Sequence, residues 1–139
     1  MAAHQATFDV LSRGRGTLDI TADVARIVGT SGLACGVAHV FVRHTSCSLL
    51  ITENADPDVR RDLETLARRW APDGDPAYRH ADEGDDDMAA HARSALAGSS
   101  VAIPVGNHQL LLGTWQGIYL WEHRHAAHQR RLTVTVIGS

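Results

Sequence analysis

The sequence contains no lysine; all 13 of its basic residues are arginine. That absence excludes a Schiff-base lysine, a P-loop lysine and a serine–lysine dyad, each of which needs an amine that a guanidinium cannot supply. Cysteine is scarce too. Cys35 and Cys47 are the only two and form no C-x-x-C pair, which argues against a zinc ribbon or thioredoxin-like centre and predicts two free, mostly buried thiols. No apolar run approaches the ~18 residues of a membrane span, and no basic segment leads into an apolar one as in a secretion signal. The expectation is a soluble cytoplasmic protein without a membrane partner. Positive charge is not in excess: 16 acids leave a formal charge of -3, against the basic face that nucleic-acid binding requires. A local arginine cluster could still hold one small phosphate.

Histidine, by contrast, is plentiful, with nine in 139 residues. It is the commonest metal ligand and titrates near neutral pH. The length suits one domain, residues 1–139, able to bury roughly two-thirds of its unfolded surface.

Thr7–Ser12 and Thr17–Ile20 read as a β-hairpin joined through Arg13-Gly14-Arg15-Gly16. Those glycines lack the third glycine and following helix of a dinucleotide-binding loop. Thr21 is placed to cap a short helix in which Val24, Ile27 and Val28 recur on one face, and Gly29 and Gly32 end it. His39–His44 and Cys47–Thr52 are apolar enough to be central strands. Asp56 then caps a helix with Pro57 at its first position, along which Val59, Leu63, Leu66 and Trp70 form one apolar stripe until Pro72. From Asp73 to Asp87 the chain is a long Pro-, Gly- and Asp-rich loop. Asp86 or Asp87 caps a third helix, Met88 to about Ala97, closed by Gly98. Val101–Pro104, Leu110–Leu112, Ile118–Arg124 and Arg131–Ile137 read as strands, with a turn at Gly106-Asn107. The pattern predicts one α+β domain with antiparallel sheets and about three helices.

The chemistry concentrates between His80 and His91. Asp87 and His91 are i, i+4 on the third helix and so share a face, while His80 and Glu83 can approach from the loop. Imidazoles with carboxylates suit Zn²⁺, Mn²⁺ or Fe²⁺, and carboxylates alone suit Mg²⁺. The plain alternative is that Asp85, Asp86 and Asp87 complement the helix dipole. His123-x-His125-x-x-His128 is a weaker cluster, in a connection between strands. Strand alternation sets Glu122 and Arg124 on one face, where they either pair or address a ligand jointly. His44-Thr45-Ser46 enters a hydroxyl-rich turn that could hold a phosphate or be an ordinary Ser/Thr turn.

His44-Thr45-Ser46, Thr52-Glu53-Asn54-Ala55-Asp56-Pro57, His80-x-x-Glu83-Gly84-Asp85-Asp86-Asp87-Met88-x-Ala90-His91, Leu112-Gly113-Thr114-Trp115-Gln116-Gly117 and Glu122-His123-Arg124 together resemble the motif series of the YjbQ-like family. The resemblance runs in order from roughly Phe8 to Gly138. It implies a YjbQ-like fold of packed antiparallel sheets, a homotrimer, and an activity described for the family as secondary thiamine-phosphate synthase. It implies catalytic positions at His44, Glu83, Asp86, Asp87 and Glu122, and substrate contacts at Thr45, Ser46, Asn54, Trp115, Gln116 and Arg124. It also implies metal ligands at His80, His91 and Asp87, with Mg²⁺ or Zn²⁺ as the ion. In that reaction a pyrimidine pyrophosphate meets a thiazole phosphate and pyrophosphate departs, which calls for a divalent ion and cationic donors. Two alternatives are a metal-dependent hydrolase or transferase on another small phosphorylated metabolite, and a non-enzymatic trimeric metal- or anion-binding module. His108, His125 and His128 fall outside the motifs.

Overall fold

The structure, a computed structural model, describes all 139 residues. Its strands are β1 (Ala2–Leu11), β2 (Gly16–Asp19), β3 (Gly36–Val42), β4 (Cys47–Glu53), β5 (Ser100–Gly106), β6 (Gln109–Leu110), β7 (Gln116–Glu122) and β8 (Gln129–Gly138). Three helices interrupt them: α1 (Thr21–Thr30), α2 (Pro57–Trp70) and α3 (Asp87–Ala97). A five-stranded sheet has the order β1-β8-β3-β5-β6 and a three-stranded sheet the order β2-β7-β4. Every pairing is antiparallel. This is a mixed α+β fold, and no helix is long and apolar enough to cross a membrane.

Alternation along the strands builds the core. Ala38, Val40 and Val42 from β3, and Leu132, Val134 and Val136 from β8, face inward from the large sheet; Cys47, Leu49, Ile118 and Leu120 meet them from the small one. Val24, Ile27 and Val28 of α1 complete the same cluster. The opposite parity of the small sheet carries Ser48, Tyr119, Trp121 and His123, all buried. Trp121 Nε1 donates to Glu64 of α2, and Ser94 Oγ of α3 donates to the Cys47 carbonyl, so α2 and α3 cover this outer face.

Several local expectations are corrected. β1 and β2 are not a hairpin: β1 pairs along its whole length with β8, while β2 pairs with β7 in the other sheet. The Arg13–Gly16 link is a crossover, pinned where Arg15 forks Asp73 at 2.9 Å and donates to the His123 carbonyl. Gly14 fits that corner at φ +100, where a Cβ would lie 2.4 Å from the His125 carbonyl oxygen. Thr21 is not the cap of α1 but its first residue, the cap position being Ile20; the Thr21 hydroxyl accepts from the Ile118 N–H at 2.9 Å instead. β3 is central, but β4 is an edge strand, apolar because both of its faces are covered.

Asp56 does cap α2, accepting from the Asp58 N–H at 2.9 Å. The α2 stripe is only partly inward, however. Ala67 is buried, whereas Leu66 and Trp70 remain exposed, Trp70 by 59%. Of the two free thiols Cys47 is buried and Cys35 exposed.

Candidate metal centre

α3 begins at the edge of the small sheet, and its first turn carries Asp87 and His91 on one face. The preceding loop returns His80 to the same point. His80 Nε2 lies 2.6 Å from Asp87 Oδ2, and His91 Nε2 lies 3.1 Å from that same oxygen. One ligand atom from each of the three residues falls within 4.8 Å of the others.

The second rank of contacts fixes this arrangement. His91 Nδ1 donates to the Thr45 carbonyl at 2.9 Å; a carbonyl cannot donate, so the tautomer is set and Nε2 is left facing the carboxylate. A lone pair facing Asp87 is repulsive unless a proton or a cation lies between them. Asp87 Oδ1 is held by Arg124 Nη1 at 2.8 Å. A ligating imidazole anchored through its other nitrogen, beside an anchored carboxylate, is the usual support of a metal site. Burial pushes the Asp87 carboxyl up, but the His80 hydrogen bond and the charges of His91 and Arg124 outweigh it and hold it below the ordinary carboxylate value. Two imidazoles and one carboxylate could hold Zn²⁺, Mn²⁺ or Fe²⁺; Mg²⁺, an oxygen binder, is the poorer fit. His80 remains 44% exposed, so the cluster is open on one side.

The other expected positions divide. Asp86 does not cap α3 through its side chain; it accepts from Arg124 Nε at 3.1 Å and the His125 N–H at 2.8 Å. Burial raises its carboxyl, but these two donors bring it below its usual value. Glu83 contributes its backbone carbonyl to Arg124 Nη2, and its side chain lies outside the triad. Arg124 is therefore occupied by three internal acceptors rather than open to a phosphate. Glu122 does not pair with the Arg124 side chain either. It is fully buried between the sheets, where Arg130 forks it at 2.8 and 2.5 Å and Ser12 donates at 2.6 Å. Burial raises Glu122, but Arg130 and Ser12 outweigh that and keep it ionised below the usual carboxylate range. Ser46 is spent on Arg130 as well.

His44 is half-buried, and its Nε2 accepts the Arg131 N–H at 2.8 Å, leaving Nδ1 as the protonated donor. Burial and the nearby Arg130 charge lower its pKa, which favours the neutral ring. Thr45 is exposed and serves through its carbonyl. Asn54 and Gln116 close the turn at the far end of β4 and β7: Asn54 Nδ2 donates to the Thr114 and Gln116 carbonyls, and Gln116 Oε1 accepts from the Gly113 N–H. Trp115 sits exposed on that turn. The strand β7 separates them from Glu122 by six steps of ~3.3 Å, about 20 Å along the sheet. One chain does not bring them to the triad.

The histidines of the 123–128 run do not converge. His123 is buried with Nε2 2.8 Å from Ser48 Oγ, His125 is exposed on Asp73, and His128 Nδ1 donates to the carbonyl of Ala126, two residues back. Sequence reasoning missed Arg130, Ser12 and the Thr45 carbonyl. Only the inward parity of Arg130 on β8 could have flagged one of them.

A family model described as "UPF0047 protein YjbQ-like" matches residues 6–139. The chain belongs to the YjbQ/UPF0047 family. It is 47% identical over 135 residues to a UPF0047 protein of Synechocystis, covering 97% of this chain and 92% of that one. With the UPF0047 protein YjbQ of Salmonella typhimurium the identity is 39%, covering 97% and 98%. Among solved structures, a YjbQ/UPF0047-family protein of Clostridium acetobutylicum superposes with a TM-score of 0.84 at 36% identity, covering 96% of this chain and 99% of that one. A conserved hypothetical protein of Thermus thermophilus gives 0.86 at 30%, covering 95% and 99%. The small sheet, α3 and the loop before it all lie within this YjbQ-family match.

Proposed function

We propose that this YjbQ-family protein is a divalent-metal-dependent enzyme acting on a small phosphorylated metabolite. The single observation that carries the reading is Asp87 Oδ2, one oxygen faced by two imidazole nitrogens, with His91 locked by Thr45 and Asp87 by Arg124. A divalent cation bound there supplies Lewis acidity toward phosphate oxygens or acidifies a coordinated water. His80, Asp87 and His91 hold it, and Thr45 and Arg124 keep their angles.

Charge around the triad suggests where an anionic group would sit. The cavity next to His80 carries the carboxylates of Asp75 and Asp85 and no arginine. The cavity on the His44 side includes Arg43 and Arg131 with Asp9 and Gln129. There His44 Nδ1 and the exposed Arg43 can donate to a phosphate, and a neutral His44 does so without adding charge. The specific reaction we favour is the thiamine-phosphate synthase transfer, in which the thiazole nitrogen takes the pyrimidine methylene carbon as pyrophosphate leaves. Trp115, Asn54 and Gln116 would join it only from another copy, as the proposed homotrimer would allow. Two free thiols fit a reducing, cytoplasmic setting.

Because Arg124, Glu122 and Ser46 are all committed internally, a metal-binding module without turnover is the competing reading. Turnover of a pyrimidine pyrophosphate with a thiazole phosphate, and of a panel of phosphate esters, with and without chelator, decides between them. Chelator-sensitive turnover supports the enzyme. Stoichiometric metal binding with no turnover of any of these substrates overturns it in favour of the module.

A further inference from the structure

His80 is the one member of the triad that does not stand on a helix; it is carried by the loop between α2 and α3, residues 71–86. Asp87 and His91 are fixed on α3, Asp87 against Arg124 and His91 against the Thr45 carbonyl. His80 is held differently. The loop is closed at its neck, where the Gly74 N–H donates to the Asp85 carbonyl at 2.9 Å and Gly74 turns at φ +63. Beside that neck Asp73 is tied to Arg15 and His125, and Asp86 to Arg124 and the His125 N–H.

Past the neck the anchoring stops. Within residues 75–83 only Asp75 and Tyr78 are even half-buried, and none joins the apolar core. The loop encloses a cavity of about 230 Å³ lined by its own residues, from Gly74 to Asp85. Tyr78 Oη donates to the Pro72 carbonyl at the loop's base, and the Glu83 carbonyl accepts from Arg124. The one side chain of this stretch that bonds beyond the loop is His80, at 2.6 Å from Asp87 Oδ2. A pinned neck under an exposed span with few packed side chains is the pattern of a segment that opens locally at small free-energy cost. A ligand shifts such an equilibrium only by contacts that one of its two states makes. An ion on Asp87 and His91 meets His80 only while the loop is down.

We propose that residues 75–83 form a lid hinged on the Gly74–Asp85 neck, with His80 as its latch. The lid opens readily without a divalent ion and is held closed by one. This rests on the metal reading of the triad and adds to it the path by which an ion reaches the buried Asp87.

The test is limited trypsin digestion of the full-length protein, stripped with chelator and then digested with or without Zn²⁺. Arg79 is the only basic residue between Arg69 and Arg93, so a cut in the lid yields fragments 1–79 and 80–139, identified by mass. The expected result is rapid cutting at Arg79 in the stripped protein and a rate at least about tenfold lower with saturating Zn²⁺, since cleavage follows the population of the open form. Asp87→Ala, treated alike, corrects for any effect of Zn²⁺ on the protease. His80→Ala, whether or not it retains Zn²⁺, should be cut at Arg79 equally fast with and without the ion. Bound Zn²⁺ measured on the same samples separates this proposal from the metal reading. A wild type that holds one equivalent and is cut as fast as the stripped protein overturns the lid and leaves the metal centre standing; one that takes up no Zn²⁺ overturns both. Resistance of the stripped protein at Arg79 equal to that at Arg68 within α2, or Zn²⁺ protection that persists in His80→Ala, also overturns the lid.

Discussion

Glu122 and Asp87 are both buried carboxylates flanked by arginine and histidine residues, yet they occupy opposite situations. Glu122 lies between the sheets with both oxygens filled by hydroxyl, guanidinium and backbone donors. Asp87 has one oxygen filled by Arg124 and the other facing two imidazoles on an open side. The difference shows that residue type and burial do not separate a structural acid from a chemical one. What separates them is whether the remaining lone pairs meet donors fixed in the sealed interior or imidazoles on an open side, whose nitrogens can also ligate a cation.

The largest expected effect lies on the closed side. Glu122→Ala leaves Arg130 buried without its counter-charge and should cost about 3–5 kcal/mol in urea unfolding. Loss of this much stability with metal affinity preserved in the folded fraction would sharpen the contrast; loss of metal affinity at unchanged stability would break it. On the open side, Arg124→Met removes the anchor of Asp87 without removing a ligand. Zn²⁺ affinity measured by competition with a chromophoric chelator should fall roughly 10–100-fold at unchanged stoichiometry.

His123 offers a pH test on the sealed side. Burial, with the Arg93 charge behind it, lowers its pKa to about 3, so the folded ring stays neutral where an unfolded one, near 6.5, takes a proton. Its contribution to stability is therefore complete above pH 6.5 and is lost progressively as the pH falls from there toward 3. Between pH 6 and 4 one extra proton on the unfolded chain corresponds to a slope of up to about 1.4 kcal/mol per pH unit. Urea unfolding across that range should show this slope in the wild type and a shallower one in His123→Gln. The smallest effect belongs to His125, exposed on Asp73. His125→Ala should alter stability by no more than about 0.5 kcal/mol and leave metal affinity unchanged.

Much of this was legible in the sequence where the signal is local. The Asp56-Pro57 start of α2 is a matter of capping chemistry, and the meeting of Asp87 with His91 follows from four residues of helix. The convergence of His80 was within reach because its loop is short of alternatives. The rest depends on pairings between distant segments. Nothing local distinguishes β1 and β2 as a hairpin from two strands sent to different sheets, because their partners, β8 and β7, lie about a hundred residues further along the chain. Arg124 reads as a free cation on a strand end until the 83–87 turn folds onto it. Glu122 reads as a site acid until Arg130, eight residues on, is seen to face the same interior. Gln116 lies about 20 Å along β7 from Glu122, at the end of the strand away from Arg124 and the triad, a separation set by sheet geometry and invisible to motif order.

The central claim is that Asp87, His80 and His91 form a metal centre, and the most direct measurement is metal content. Protein stripped with chelator, dialysed against limiting Zn²⁺ and analysed for bound metal should hold one equivalent per chain, and Asp87→Ala treated identically should hold none while remaining folded. A wild-type protein that takes up no divalent ion, or an Asp87→Ala protein that retains a full equivalent, would contradict the account.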